Sequence, residues 1–392
     1  MLLPYATERT HRTIPWVTYT LVGINVLVHL ALMASGPERY VEVVQRFAYV
    51  SNKPSAVYTM FTMMFLHAPG PWHLVFNMLF LVIFGPQVED ALGHLLFGVF
   101  YVVSNVGACL LYTVIMRLCG GDLSVPSLGA SGAIAGVLGM FAMRFYSTRV
   151  RTLFLFFIPL RVPSTIFLGL WVGYELREGL LDAVIAHGTS GVANWAHIGG
   201  FLFGVLAGAV LGVVTDARKE YALERPIESE SDRKRVVGAL RGVLRQLPHD
   251  AAANLRLAEL LDMSPEEAGE APRHYAEAIR GYCRAGQPER AVEAYRKFLA
   301  RHAFSELGEQ AHQMAAASLE ELGDAAGAAQ VYEEIAARAT DPDAASLALV
   351  RLAQAALRMG QRERARAALA KVVREMPGAQ WADYARNLLQ QL

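Results

Sequence analysis

The chain has 392 residues, long enough for two domains, and its 36 basic side chains balance 36 acidic ones at a formal net charge of zero. Apolar residues make up 54% and charged ones only 18%. That is oily for a soluble protein, and the lack of any basic excess argues against a nucleic-acid partner.

The oil is uneven: Leu, Val, Phe and Met dominate up to about residue 214, and beyond it Ala and Leu alternate with Glu and Arg. Residues 1–13 carry Arg9 and Arg12 and precede an apolar run at 14–34, too long for a signal-peptide core and therefore read as a retained span. A hydrocarbon core of ~30 Å takes roughly 20 residues of helix. The runs 95–116, 128–145 and 195–214 also qualify. Two further runs are weaker. Residues 71–84 are apolar apart from His73 and Asn77, and they either extend through the break at Gly85-Pro86 or pack as a short helix. Residues 152–174 are interrupted by Arg161 and Pro163, which places the membrane portion at 162–180 with Glu175 and Arg177 near one end. The stretch 56–66 has about half the needed length and reads as interfacial.

Six spans put both termini on one side. Arg144, Arg149, Arg151 and Arg161 cluster in one short connection, which makes that side cytoplasmic.

Residues 216–235 form a charged linker, and the remainder of the chain is helical and repetitive. Gly286, Gly323 and Gly360 are spaced 37 residues apart. Each precedes, at constant offsets, a small residue (Ala291, Ala328, Ala365) and two apolar anchors (Tyr295, Tyr332, Leu369, then Phe298, Ile335, Val372). A turn glycine, a small contact residue and two anchors per unit describe a helix-turn-helix solenoid similar to tetratricopeptide repeats, which implies a cytoplasmic protein partner. The expected organisation is an N-terminal segment (1–13), a six-helix membrane domain (14–215), a charged linker (216–235) and a helical repeat domain (236–392), all-α throughout.

Polar residues inside apolar helices are expensive and point to function. His73 and Asn77 share one face of the second span, Ser131 opens the fourth and His197 opens the sixth. These three spans run in the same direction, so all four residues lie at similar depth, near the outer surface. Gly200, Gly204 and Gly208 fall on the His197 face, and Gly132, Gly136 and Gly139 line the fourth span. Small residues let helices approach closely, which brings the Ser131 hydroxyl to the His197 ring. A serine hydroxyl becomes a useful nucleophile when a base takes its proton. The three cysteines, Cys109, Cys119 and Cys283, show no metal-ligand spacing, and no metal or cofactor is called for.

These motifs resemble those of the rhomboid intramembrane serine proteases over roughly residues 10–215. The matching elements are His73-Leu74-Val75-Phe76-Asn77, Phe84-Gly85-Pro86, Glu89-Asp90 with Gly93, Gly129-Ala130-Ser131-Gly132, and Ala196-His197-Ile198-Gly199-Gly200 continuing to Gly204. The resemblance implies Ser131 as nucleophile and His197 as general base, in a two-member dyad without an aspartate. It implies an oxyanion hole of the Ser131 N–H with the His73 and Asn77 side chains, and a loop-structuring role for His67. The implied substrate is another protein's transmembrane helix, entering from the bilayer between spans two and five and cut near its outer end. The implied location is a bacterial cytoplasmic membrane.

Two departures stand out. Ala135 replaces an aromatic that many members place under the catalytic imidazole, leaving Trp195 or another ring to compensate, and the first outer loop lacks their Trp-Arg pair. The alternative function is a non-proteolytic rhomboid-like scaffold that binds membrane clients. Such relatives lack the serine or the histidine, and this chain has both.

Overall fold

The structure is a computed structural model that describes residues 2–9, 11–53, 56–155, 157–182 and 194–392. The chain forms two compact units, Met1–Ala217 and Arg218–Leu392. The first opens with strand β1 (Leu2–Thr7), then helices α1 (Trp16–Ala34), α2 (Pro37–Phe47) and the short α3 (Thr59–Thr62), which continues into a 3-10 turn at Met63–Phe65. Helices α4 (Pro71–Leu92), α5 (His94–Leu118) and α6 (Ser131–Arg144) come next. A hairpin of β2 (Arg149–Phe154) and β3 (Ile158–Pro163) then leads to α7 (Ser164–Leu181) and α8 (Asn194–Val210).

The helical architecture is as expected, and a helix occurs at each of the expected positions, but six full spans are not reproduced. The helix lengths differ from the expectation. Among the described residues, only α1, α4 and α5 are long and apolar enough to cross a membrane alone, and α8 qualifies only together with the next helix across a 70° bend. The run 128–145 shrinks to the 14 residues of α6, which is about 21 Å of helix. Every residue from Gly132 to Phe141 in it is buried, so α6 is sheathed by protein and meets lipid along neither flank. Of the two expectations at Gly85-Pro86, extension through it is the one observed. Helix α4 runs on through Pro86, where buried packing on both sides outweighs the lost hydrogen bond.

The small sheet was not anticipated. Its order is β1-β2-β3, antiparallel throughout, with Leu2 opposite Phe154 and Arg149 opposite Pro163. Val150 and Thr152 are fully buried while Arg149 and Arg151 face out, the two-residue alternation of a strand lying on a core. The pairing ties the N-terminus to the α6–α7 connection, so both lie on one face, where Arg161 also meets Glu8 at 3.4 Å.

Glu89 and Asp90 fasten α1 to the end of α4. The Glu89 carboxylate accepts from the Val17 and Thr18 N–H groups (2.9 and 2.8 Å) and the Thr18 hydroxyl (2.6 Å), and Asp90 accepts from the Arg12 and Thr13 N–H groups. Helix N-termini leave such donors unpaired, and α1, which begins after Pro15, has no cap of its own.

Helices α6 and α8 pack backbone against backbone. A Cβ on Gly200 would strike the Gly132 carbonyl, one on Gly204 the Gly136 carbonyl, and one on Gly139 the Phe201 carbonyl. Residue numbers rise together along the contact, so the two helices are parallel and their first turns lie side by side.

The second unit comprises most of α9 (Val213–Glu224), then α10 (Glu230–Gln246), α11 (Ala251–Leu261), α12 (Ala271–Arg284), α13 (Pro288–Leu299), α14 (Glu309–Glu321), α15 (Ala325–Arg338), α16 (Pro342–Arg358), α17 (Arg362–Glu375) and α18 (Ala382–Gln391). Much of the stretch 216–235 is therefore helical. Gly286, Gly323 and Gly360 all have positive φ (63°, 80° and 74°) and each ends the first helix of a pair. The residue after each glycine donates back to a carbonyl of the preceding turn, Gln287 to Tyr282, Asp324 to Leu319 and Gln361 to Ala356, which is how a left-handed residue closes a helix. The small residues and apolar anchors at the later offsets are all buried.

Among the buried groups of this unit, His312 has its Nδ1 2.9 Å from the Tyr295 hydroxyl and its Nε2 2.9 Å from the Phe304 carbonyl, a geometry suited to the neutral ring. Burial pushes its pKa, and that of His274, below the usual histidine value. A depressed folded-state pKa stabilises the fold above the unfolded value of ~6.5 and loses that contribution as pH falls through the folded one. Hydrogen exchange on the full chain is therefore expected to show weaker protection of α13–α15 at pH 5 than at pH 7.5. His312→Gln should flatten that difference.

Candidate active site

Three helix starts and one helix end meet at a cavity of about 600 Å³, lined among others by Trp72, His73, Phe76, Asn77, Ser131, Trp171, Glu175 and His197. Ser131 is the first residue of α6, following Gly129 at φ 118°. His197 lies in the first turn of α8. Parallel glycine packing aligns these turns, and Ser131 Oγ lies 2.8 Å from His197 Nε2.

The other face of the imidazole is also held. His197 Nδ1 is 2.8 Å from Glu175 Oε2, and the same oxygen accepts from Asn194 Nδ2 at 2.8 Å. An ionised carboxylate only accepts hydrogen bonds, so the Nδ1 proton points at Glu175 and the Nε2 lone pair at the Ser131 hydroxyl. Glu175 is 6% exposed. One turn earlier on α7, the Trp171 ring lies beside the imidazole, with centroids 6.3 Å apart and planes 32° apart. The ring that accompanies His197 is thus Trp171. Trp195 packs elsewhere, its indole 3.2 Å from the Cβ position of Gly179.

From α4, His73 accepts the Ala68 N–H on Nδ1 at 3.2 Å, which leaves its proton on Nε2. That nitrogen faces Gly129, where a Cβ would lie 2.9 Å from it and 3.8 Å from Ser131 Oγ. Only glycine fits both the positive φ and this space. Asn77 donates one amide hydrogen to the His73 carbonyl at 2.8 Å, one turn back on its own helix. Ser131, His197, His73 and Asn77 thus border one cavity, with the unpaired N–H groups of the first turn of α6 beside them. His67 lies behind His73, fully buried, with ring centroids 5.1 Å apart, and its carbonyl accepts from the Tyr40 hydroxyl.

Residues 54–213 match the rhomboid domain family. The chain carries a rhomboid domain. Its relatives include Rhomboid protein 1, mitochondrial, of Saccharomyces cerevisiae (30% identical over 217 residues, 53% of this chain and 57% of that protein). Another is RHOMBOID-like protein 4 of Arabidopsis thaliana, 34% identical over 143 residues, 36% of this chain and 31% of the relative. Rhomboid protease GluP of Bacillus subtilis is 28% identical over 202 residues, 51% of this chain and 35% of the relative. The matches span between about a third and somewhat over half of these relatives. They come from a yeast mitochondrial protein, a plant and a bacterium, so the rhomboid domain assigns an integral membrane location and does not single out a bacterial inner membrane. Residues 347–379 match the tetratricopeptide repeat family, in keeping with the glycine-marked repeats around them.

Glu175 holds a place in this geometry that the sequence reading did not give it. The sequence placed Glu175 near the end of a span with no part in the chemistry, whereas the structure puts its carboxylate on the imidazole. The available signal was a lone carboxylate in an apolar helix at the depth of the histidine.

Proposed function

We propose that the protein is an intramembrane serine endopeptidase in which Ser131 is the nucleophile and His197 the general base. The observation that carries this reading is the 2.8 Å contact between Ser131 Oγ and His197 Nε2 at a cavity within a rhomboid domain. His197 Nε2 takes the hydroxyl proton as Ser131 Oγ attacks the scissile carbonyl carbon. The carbonyl oxygen becomes an oxyanion, met by the Ser131 N–H, His73 Nε2–H and the Asn77 amide. His197 then gives its proton to the leaving nitrogen, the C–N bond breaks, and an acyl ester remains on Ser131. Water, deprotonated by the same ring, releases the acid and restores the serine. Each donor in such a hole contributes about 3–4 kcal/mol of transition-state stabilisation.

The substrate in this reading is a transmembrane segment of another protein. The cavity walls that support it come from α4 (Trp72, Phe76, Phe80) and α7 (Trp171), the pair between which a helix from the bilayer would enter. The Arg-rich sheet joins the N-terminus to the far end of α6, so by the positive-inside rule the cavity opens away from the cytoplasm. The repeat unit then lies on the cytoplasmic side and serves as a docking platform for a protein partner.

The test uses the purified full chain in bilayers with a fluorophosphonate probe and a transmembrane-helix substrate. The expected result is a single adduct, mapped by mass spectrometry to Ser131, and cleavage products ending near the outer end of the substrate helix. An adduct on another residue, or none with no products from a panel of helix substrates, would sink the reading and leave the client-binding scaffold.

A further inference from the structure

We propose that Glu175, steadied by Asn194, is a positioning residue that makes the site a three-member array, an inference that rests on the protease reading above. A carboxylate at 6% exposure on an apolar helix is costly to hold unless its charge is met. Among the described residues its only charge-capable partner is His197. The neighbouring Arg177 turns to Glu178 instead, so Glu175 is not part of a surface ion pair. Its Oε2 takes two hydrogen bonds, from His197 Nδ1 and Asn194 Nδ2, residues three apart on one face of α8. That oxygen is therefore fixed in position before any substrate arrives.

Two consequences follow for the ring. The Nδ1 proton is pinned toward α7, so the Nε2 lone pair is presented to Ser131 in the tautomer that general-base attack requires. When the ring takes the serine proton, the carboxylate stabilises the imidazolium without taking a proton itself. Helix α7 supplies a second restraint one turn away, with Trp171 beside the ring. One helix thus sets both the tilt and the tautomer of the base.

The alternative role for Glu175 is to join α7 to α8, and Glu175→Gln separates the two. The amide keeps the size and a hydrogen-bonding oxygen, so a mere tether survives, but the charge is gone and the amide can present N–H to the ring and reverse its tautomer. The variant is expected to lower kcat on a transmembrane substrate by about 100-fold or more while KM stays within about threefold. Other titratable groups around the same cavity are Asp182 at the end of α7, His73 of α4 and Tyr112 of α5. Asp182→Asn, run in parallel, should leave kcat within about threefold of wild type. A loss of equal size there would assign the effect to the general field of the cavity and overturn the proposal.

In the same protein, ¹⁵N-histidine spectra should show His197 protonated on Nδ1 in the wild type and lose that signature in Glu175→Gln. If the wild type fails to cleave while this signature depends on Glu175, the protease reading fails and the positioning stands. If the wild type cleaves and Glu175→Gln matches it in kcat and spectrum, the positioning role is wrong and the protease reading is untouched.

Discussion

Ser131→Ala is expected to reduce cleavage of a transmembrane substrate by about 10⁴-fold or more, to background, and to abolish fluorophosphonate labelling, with almost no change in stability. The size of the effect comes from the chemistry. The hydroxyl oxygen is the atom that bonds to the substrate, and no nearby group replaces it. Ser127 also lines the cavity, but among the described residues the hydroxyl that meets His197 Nε2 is that of Ser131. The small stability effect reflects the part Ser131 plays in the resting protein. Its Oγ makes one hydrogen bond, to His197, whose net worth is about 1 kcal/mol. The vacated Nε2 faces a cavity large enough for water, so no buried polar atom is stranded. Thermal melting of the variant should therefore fall within a few degrees of wild type, and substrate should still bind. Residual cleavage above a few per cent of wild type would show that another group attacks. A large loss of stability would show that the hydroxyl is structural.

The closeness of Ser131 and His197 was legible because the sequence spells out helix contact in glycine. Gly132, Gly136 and Gly139 against Gly200 and Gly204 admit essentially one alignment, and that alignment places the first turns of α6 and α8 together. The repeat turns were legible for a similar reason, since Gly286, Gly323 and Gly360 each occupy a positive φ that other residues resist. Glu175 was not legible as a partner. Nothing in 162–180 fixes how α7 is rotated about its axis, and a carboxylate near the end of an interrupted apolar run reads as an interfacial residue. The same interruption hid the hairpin. Arg161 and Pro163 looked like faults in a span, whereas they belong to β3, the edge strand next to β2. The short alternation from Arg149 to Thr152 was masked by the apolar residues beyond it. The length of α6 was overread because hydropathy counts residues as though each helix stood alone in lipid, and α6 is clothed by protein from Gly132 to Phe141.

Gly204→Ala should be nearly as damaging to activity as loss of a reacting group, although position 204 lies two turns from His197. A methyl group there would meet the Gly136 carbonyl oxygen, with the Gly136 carbonyl carbon and the Met140 nitrogen each at 2.9 Å. All three are backbone atoms of α6, so no rotamer change relieves the clash, and the two helices must separate or slide. Overpacking of this kind costs about 1–3 kcal/mol, and more when only backbone can give way. The site suffers more than the fold, because both reacting side chains are mounted on the helices being forced apart. A shift of about 1 Å in their separation costs about 100-fold in rate. Gly169→Ala supplies the contrast. It lies in α7 with nothing within 4 Å of its Cβ position, so alanine should be neutral or stabilise the helix by up to about 1 kcal/mol. Melting temperature and fluorophosphonate labelling rate, measured on both variants in the full chain, decide the matter. If Gly204→Ala labels as fast as Gly169→Ala, the glycine contact does not hold Ser131 to His197, and the account of how the sequence builds this site has to be replaced.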